Sequence, residues 1–461
     1  MYAGGTNPAR GLQESQATGY PNDIVALSYD FHAPIGEAGL LAGSYAELRR
    51  QHAFLAAFGP MLADLPSSLP DVRPSGVADR STLRWALRAS PQGGFLFLAW
   101  RQPHEPLDTY EAARFRVQLG EEELLLPSRP VDVPPGTLAS WPIGLTVGGV
   151  RIGWVTASAL TLLGGPVPTL VLVAQPGVPV ELAVPPEAGA VGAGRTGRSG
   201  SWETYGITPG RSAVRVRAPR GAVDVLVLSA EDGSHAWVRE GSEAGGEREL
   251  LLSPDALTWG ESAVLGVSVT GEPDVQRYDV DTREFRPVEL RPLTAAPLAA
   301  EVLPVQRRPA GTVPSDYGFH DGRQSAPTDS AVETRAAVYE LELPPWALDG
   351  SGDVSIHIEW AGDVAELRVD GVAVSDRFWD GSCWSIDAKD VGVQQGRAVT
   401  LHVLPLAPDS KIRLPAAADE RRRQSCNALL AVDRVRMERR QRWSSDTGGP
   451  SWRSSASHRP S

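Results

Sequence analysis

The hydrophobic period of this chain changes once, from that of a helix to that of a strand, and the change limits what the chain can fold into. Between Leu41 and Leu62, the residues Leu41, Tyr45, Leu48, His52, Leu55, Phe58 and Leu62 recur at spacings of three and four. That spacing predicts one helix with a single apolar stripe, and Gly59-Pro60 predicts its end or a kink in its last turn. From about residue 80 the period is two. LRWALRAS, GGFLFLAW, ARFRVQLG and ELLLPS are short alternating runs bounded by Gly, Pro, Ser or charged residues, the pattern of half-buried strands. The 47 glycines and 39 prolines fall largely between such runs, as expected of β-structure with many turns.

Three β-domains follow from this pattern, consistent with 461 residues at roughly 150 per domain. The first spans residues 75–186. It contains IGLTVGGVRIGWVTAS, read as a hairpin about Gly148-Gly149 because paired glycines supply the positive φ of tight turns. The glycine-rich stretch EAGAVGAGRTGRSGS reads as a linker or long loop. The second domain spans 200–295 and holds AVDVLVLSAEDGSHAWVRE, read as a hairpin about Asp232-Gly233. Residues 296–334 are rich in Pro, Ala and Thr and read as a connecting segment. The third domain spans 335–443, with its clearest hairpin turn at Asp370-Gly371. Residues 444–461 have no period and read as a disordered tail, and residues 1–64 stand apart from all three.

Composition narrows the function classes. With 44 basic and 56 acidic residues the net charge is −12, which argues against nucleic acid or an anionic membrane held by charge. No apolar run reaches the ~20 residues of a membrane-spanning helix, since Val167 to Val184 is broken by Pro168, Pro176 and Pro179. No signal peptide is expected, because no basic and then apolar segment follows Met1. Cys383 and Cys426 make neither a disulfide framework nor a zinc site; one bridge is open to them, and two buried thiols are expected. Histidine spacing gives no metal site, and no cofactor is expected.

Several motifs have a plain structural reading. Gly192, Gly194 and Gly197 match G-x-G-x-x-G, but RSGSWETYGITPG follows where the fingerprint needs a helix, so a linker is expected. Arg421, Arg422 and Arg423, with the basic run RVRMERRQRW, suggest an anion site or a solvated strand edge and loop; in a chain of this charge the second is expected. Trp360, Trp379 and Trp384 offer stacking platforms for sugar rings or fill a core, the usual place of tryptophan in sandwiches. No G-x-S-x-G elbow marks a serine nucleophile, although spacing does not exclude a Ser–His–acid triad.

MYAGGTN at residues 1–7 and SYDFHAPIGEAG at 28–39, followed by a helix, resemble glycoside hydrolase family 35, the β-galactosidases. The family pattern is close to M-Y-x-G-G-T-N-F-G and then T-S-Y-D-Y-D-A-P-I-S-E-x-G. Met1, Tyr2, Gly4, Gly5, Thr6 and Asn7 match the first block. Ser28, Tyr29, Asp30, Ala33, Pro34, Ile35, Glu37 and Gly39 match the second. DVAELRVDGVAVSDRFWDGSCW also looks like the C-terminal jelly roll of bacterial members. The resemblance implies a mainly β fold: three consecutive β-sandwich or jelly-roll domains, preceded by the last βα unit of a (β/α)8 barrel.

What the resemblance leaves out matters as much. A barrel takes about 250 residues, and about 60 precede the β-domains here. Retaining glycosidases use two carboxyl groups about 5 Å apart, which the family carries on its fourth and seventh barrel strands. Both would lie upstream of Met1, so Met1 is not expected to be the original start. No catalytic residue is assigned, and inactivity of the chain alone is expected. Tyr29 matches a tyrosine that faces galactose in the family and is the one substrate-binding residue carried over; its plain reading is a packed loop tyrosine. Phe31, His32 and Pro8 depart from the pattern and leave sugar recognition in doubt. The expected partners are a galactoside or other carbohydrate, and upstream sequence or a separate chain supplying the rest of the barrel. A non-catalytic carbohydrate-binding or structural β-protein is the alternative.

The Leu41–Leu62 stripe would face barrel strands in the family. Left in water, each large side chain forfeits roughly 1.5–3 kcal/mol. The stripe is therefore expected to dock on the first β-domain, to self-associate or to aggregate, and docking costs least.

Overall fold

A computed structural model of the chain describes residues 33–36, 39–102, 106–240, 247–259, 263–313, 319–320, 323–324, 329–349, 352–410, 412 and 414–445. MYAGGTN, Tyr29 with its neighbours Phe31 and His32, and the tail beyond residue 445 lie outside the described residues. The chain is mainly β, in several sheets, and forms two compact units. One consists of Ala46–Asp255 and Asp274–Glu289; the other holds Ala256–Pro273 with the described residues of 1–45 and 290–461. Beyond residue 80 the described helices are short: Ala230–Ser234, Asp329–Arg335 and Ala416–Gln424, with one 3-10 turn at Pro345–Ala347.

The first unit is layered about an eight-stranded sheet. In spatial order its strands are Ser67–Ser68, Trp85–Ser90, Gly93–Trp100, Thr137–Val147, Val150–Val155, Glu181–Val184, Trp202–Gly206 and Gly194–Ser199. Alternation gives this sheet two apolar faces. Leu96, Leu98, Trp141 and Ile143 pack against the hairpin Tyr110–Leu119/Glu122–Val133 in one core. Phe95, Leu145, Ile152 and Leu182 share a second core with a five-stranded sheet, through Leu170, Leu172, Val216 and Val225. That second sheet contains a parallel pair, Thr169–Val173 with Gly221–Leu228. Both strands are buried at nearly every position, the continuous apolar pattern that parallel neighbours require. A four-stranded sheet, Ala236–Arg239, Glu249–Leu252, Gln276–Asp279 and Glu284–Pro287, completes the unit.

The second unit has two sheets around one core. The long strand Ala431–Ser444 pairs with Val264–Ser268, Arg291–Pro292, Leu298–Val302 and Asp353–Ala361. Trp384–Asp387 follows at the edge, beside Asp353–Ala361. The other sheet runs Pro304–Arg308, Ala337–Leu341, Val399–Val403, Val364–Val369, Val372–Phe378. Ile356, Ile358, Ile386 and Met437 from the first sheet meet Leu367, Val369, Leu401 and Val403 from the second.

Two turns form as the sequence dictates. Gly148 and Gly149 have φ of 57° and 77° between the partners Val147 and Val150, and Asp370 and Gly371 have 50° and 79° between Val369 and Val372. Positive φ at both central residues matches the twist of a two-residue hairpin. Asp370 is held there by its carboxylate, which accepts from Ala398 N at 2.9 Å and Arg397 Nε at 2.7 Å.

Elsewhere the structure corrects the sequence. Asp232-Gly233 is no hairpin but part of the helix Ala230–Ser234, started by Ser229, whose Oγ accepts from Asp232 N at 3.0 Å. Ser229 is a favoured cap, and the acidic residues behind it suit a helix start. The glycine-rich stretch expected as a linker forms strands Gly189–Val191 and Gly194–Ser199. Both lie at sheet edges, where glycine is tolerated and bulges occur; the register shifts between Arg195 and Gly197. Part of the segment 296–334, expected as a connection, forms Leu298–Val302 and Pro304–Arg308, because each finds an antiparallel partner, in Ala431–Ser444 and Ala337–Leu341.

One buried histidine makes the second unit sensitive to acid. His402 is 9% exposed; its Nε2 bonds Thr400 Oγ1 at 3.1 Å, and its Nδ1 has no partner. Burial, then the Arg368 and Arg308 guanidiniums, push its pKa down from 6.5 to about 4, against the pull of Glu333. Between these values the unfolded chain takes up a proton that the folded chain refuses, so stability falls as pH drops through this window. In urea titrations the unfolding midpoint of this unit should fall from pH 6.5 to 4, and His402→Gln should remove part of that slope.

Candidate functional site

The long helix runs Gly43–Asp64 with Pro60 inside it; the sequence placed it at 41–62. Its buried residues are Phe54, Phe58 and Leu62, one turn apart. Phe54 meets Phe95 at 5.0 Å, edge to face, and Phe97 at 6.2 Å; Phe58 meets Phe95 at 5.2 Å. Phe95 itself is fully buried on Gly93–Trp100. The helix is therefore docked on the sheet, the least costly of the three outcomes expected for its stripe.

The face that docks overlaps the predicted stripe at Phe58 and Leu62 but departs from it further back along the helix. Leu55 is 45% exposed and His52 is exposed, while Phe54, absent from the predicted stripe, is buried. Leu41 and Leu55 extend a row of leucines, but the sheet offers phenylalanine rings, and edge-to-face packing with them favours a rotation that turns Phe54 inward.

Polar contacts hold this orientation. Arg88 Nη2 donates to the carbonyls of Leu62 and Leu65 at 2.9 and 2.8 Å, satisfying the helix C-terminus. Arg248 Nη2 donates to Ala56 O at 3.0 Å. Arg49 lies 3.5 Å over the centre of the Trp237 ring and donates to Ser234 O at 2.6 Å.

A groove runs beside the docked helix. It has a volume of about 910 Å³ and lies between the helix residues Leu48, Gln51 and Leu55 and, across from them, Leu138 on its strand with Arg84 and Gln175 just outside theirs. Its wall is mostly apolar. Leu138 is 54% exposed there, and Arg84 Nη1 and Arg88 Nε are buried without a hydrogen-bond partner. Glu47 is the one carboxylate among the described residues that line it, and it pairs with Arg50. A retaining glycosidase needs two carboxyl groups about 5 Å apart. Its described lining holds one carboxylate rather than such a pair.

Other residues singled out in the sequence fall elsewhere. Trp360, Trp379 and Trp384 are each 3% exposed and belong to the core of the second unit, with Trp360 and Trp384 at 6.3 Å. Arg421, Arg422 and Arg423 lie on the helix Ala416–Gln424 rather than on a strand edge. Arg421 holds Asp433 at 2.8 Å, and Arg422 and Arg423 share Asp419; those bonds hold the Asp419 carboxyl below the usual carboxylate range. The helix forms because an alanine run with arginine behind it has strong helix propensity. The basic run RVRMERRQRW is strand, as its alternation requires. Cys383 and Cys426 are free and exposed, not buried; both sit next to serine in turn-rich segments, where no core reaches them. Among the described residues no three His, Cys, Asp or Glu are grouped to hold a metal.

Fold and groove together define a class: a mainly β protein of stacked sheets that carries one docked helix. No family model matches the sequence, and no curated protein matches it. Among solved structures the chain is similar to the crystal structure of the GH31 alpha-xylosidase from Xanthomonas citri, at 11% identity and a TM-score of 0.12. That likeness covers 83% of this chain and 38% of the other, so the chain spans well under half the length of the enzyme. A likeness at this level carries no argument.

The docking makes a prediction that separates the two helix faces. Phe58→Ala should destabilise the first unit by about 3–5 kcal/mol, the usual cost of an aromatic cavity. Leu55→Ala should change it by no more than about 0.5 kcal/mol. Urea unfolding of each variant, followed by tryptophan fluorescence, measures both.

Proposed function

We propose that this chain is the C-terminal, barrel-less part of a β-galactosidase-like glycoside hydrolase, and that it works as a scaffold for a barrel rather than as a hydrolase by itself. The reading rests on the two sequence blocks at 1–7 and 28–39, in order and followed by a helix. The observation that carries it is an open, mostly apolar groove beside that helix. Phe58 is seated on the chain's own sheet, while Leu48 and Leu55, together with Phe54 and Leu62, line the groove. In this reading the groove receives the rest of the barrel, from upstream sequence or from a separate chain. Tyr29 then contributes to binding a galactoside or related carbohydrate beside carboxylates that the barrel supplies. The C-terminal unit corresponds to the jelly roll of the family.

The alternative, a sugar-binding protein that works without a barrel, loses its three tryptophan platforms to the core of the second unit.

The purified chain should not turn over a chromogenic β-galactoside even at high concentration, because nothing here protonates the leaving oxygen or forms the glycosyl intermediate. Turnover that co-purifies with the chain through every step would contradict the proposal. Nucleotide sequence upstream of Met1 should encode an in-frame barrel with two glutamates, or a neighbouring frame should.

A further inference from the structure

Three side chains meet on the outward face of a sheet in the second unit, apart from the groove. His357 lies on Asp353–Ala361, with Ser385 as its Cα partner on Trp384–Asp387 and Arg436 as its partner on Ala431–Ser444. Glu438 stands two residues further along that last strand. His357 Nδ1 and Ser385 Oγ are 2.9 Å apart, and His357 Nε2 is 3.2 Å from Glu438 Oε2. Arg436 Nη1 holds the other carboxylate oxygen at 2.7 Å. The alternate positions, Ile356, Ile358, Ile386 and Met437, are buried in the core, so the three polar side chains are fixed from below. His357 and Glu438 keep 18% and 15% of their side-chain surface open.

We propose that Ser385 is a nucleophile activated by His357 and Glu438, a second reactive site that accepts the acyl group of a small ester. A serine hydroxyl reacts when a base takes its proton, and the base works best when a carboxylate faces its other nitrogen. In the tautomer with the proton on Nε2, Nδ1 accepts from the serine, and Nε2 lies 3.2 Å from Glu438 Oε2, close but outside hydrogen-bond geometry. The imidazole is thus turned relative to serine proteases, in which Nε2 serves the serine. Burial is the first cause that lowers the His357 pKa, which keeps the ring neutral and able to accept a proton in mildly acidic water.

The chemistry balances. Ser385 Oγ attacks the carbonyl carbon, and its proton passes to His357 Nδ1. The tetrahedral intermediate collapses with cleavage of the bond to the alcohol oxygen, which leaves with that proton. Water then repeats the sequence at acyl-Ser385 and releases the carboxylic acid, so ester and water give acid and alcohol. An open sheet face suits an acyl group as small as acetyl, presented at the end of a larger alcohol. The step uses no barrel residue, so it stands or falls apart from the glycosidase reading.

The test is covalent labelling of the purified full chain with a fluorophosphonate, mapped by mass spectrometry. Ser385 should be labelled in the folded protein and not in urea. His357→Gln should slow labelling about 100-fold, a typical general-base contribution, and Ser385→Ala should abolish it. Acetate release from p-nitrophenyl acetate should follow the same order. Absence of label at Ser385 in the folded wild-type chain would overturn the proposal without any variant. So would an undiminished rate in a His357→Gln chain whose circular dichroism matches wild type.

Discussion

The seat of Phe54 and Phe58 on Phe95 is the contact on which the first unit's architecture turns. It fixes the rotation of a 22-residue helix, and that rotation decides which apolar residues are buried and which remain open. Three large side chains buried at roughly 1.5–3 kcal/mol each are comparable to the net stability of a typical domain, ~5–15 kcal/mol. A helix that would otherwise lose its partner is thereby retained. The same rotation presents Leu48 and Leu55 to a groove. The docked face and the open face are two consequences of one geometric choice.

The second unit depends on a different constraint. Ala431–Ser444 is a 14-residue strand written in arginine and apolar residues by turns. Val435 and Met437 face the core, and Arg434 and Arg442 face out to Glu301 and Asp353 at 2.6 Å. Such exposed pairs contribute about 0–1 kcal/mol each, so the alternation matters more than the charges. It allows a basic run to serve as the spine of a sheet, and it sets Glu438 on the same outward face as His357 and Ser385.

Strands and the two tight hairpins were legible because their signals are local: a period of two, and Gly-Gly or Asp-Gly with its positive φ. The helix was legible for the same reason, but its buried face only in part, at Phe58 and Leu62. Leu55 and Phe54 are both apolar, and only the phenylalanines of the partner strand decide between them. The strands at 189–199 and 298–308 were hidden because glycine and proline weaken the period, and for Leu298–Val302 the sheet partner that rescues it lies far along the chain. The cysteines were misjudged because residue-type averages do not register that turns surround both. The cluster of Ser385, His357 and Glu438 comes from three strands, and no sequence spacing announces it.

Hydrogen exchange on the monomeric chain at low concentration tests the central claim most directly. If the helix is seated on its own sheet, amides from Phe54 to Leu62 should exchange as slowly as those of Gly93–Trp100 and Thr137–Val147. Fast exchange across the helix, with those two strands still protected, would contradict the account.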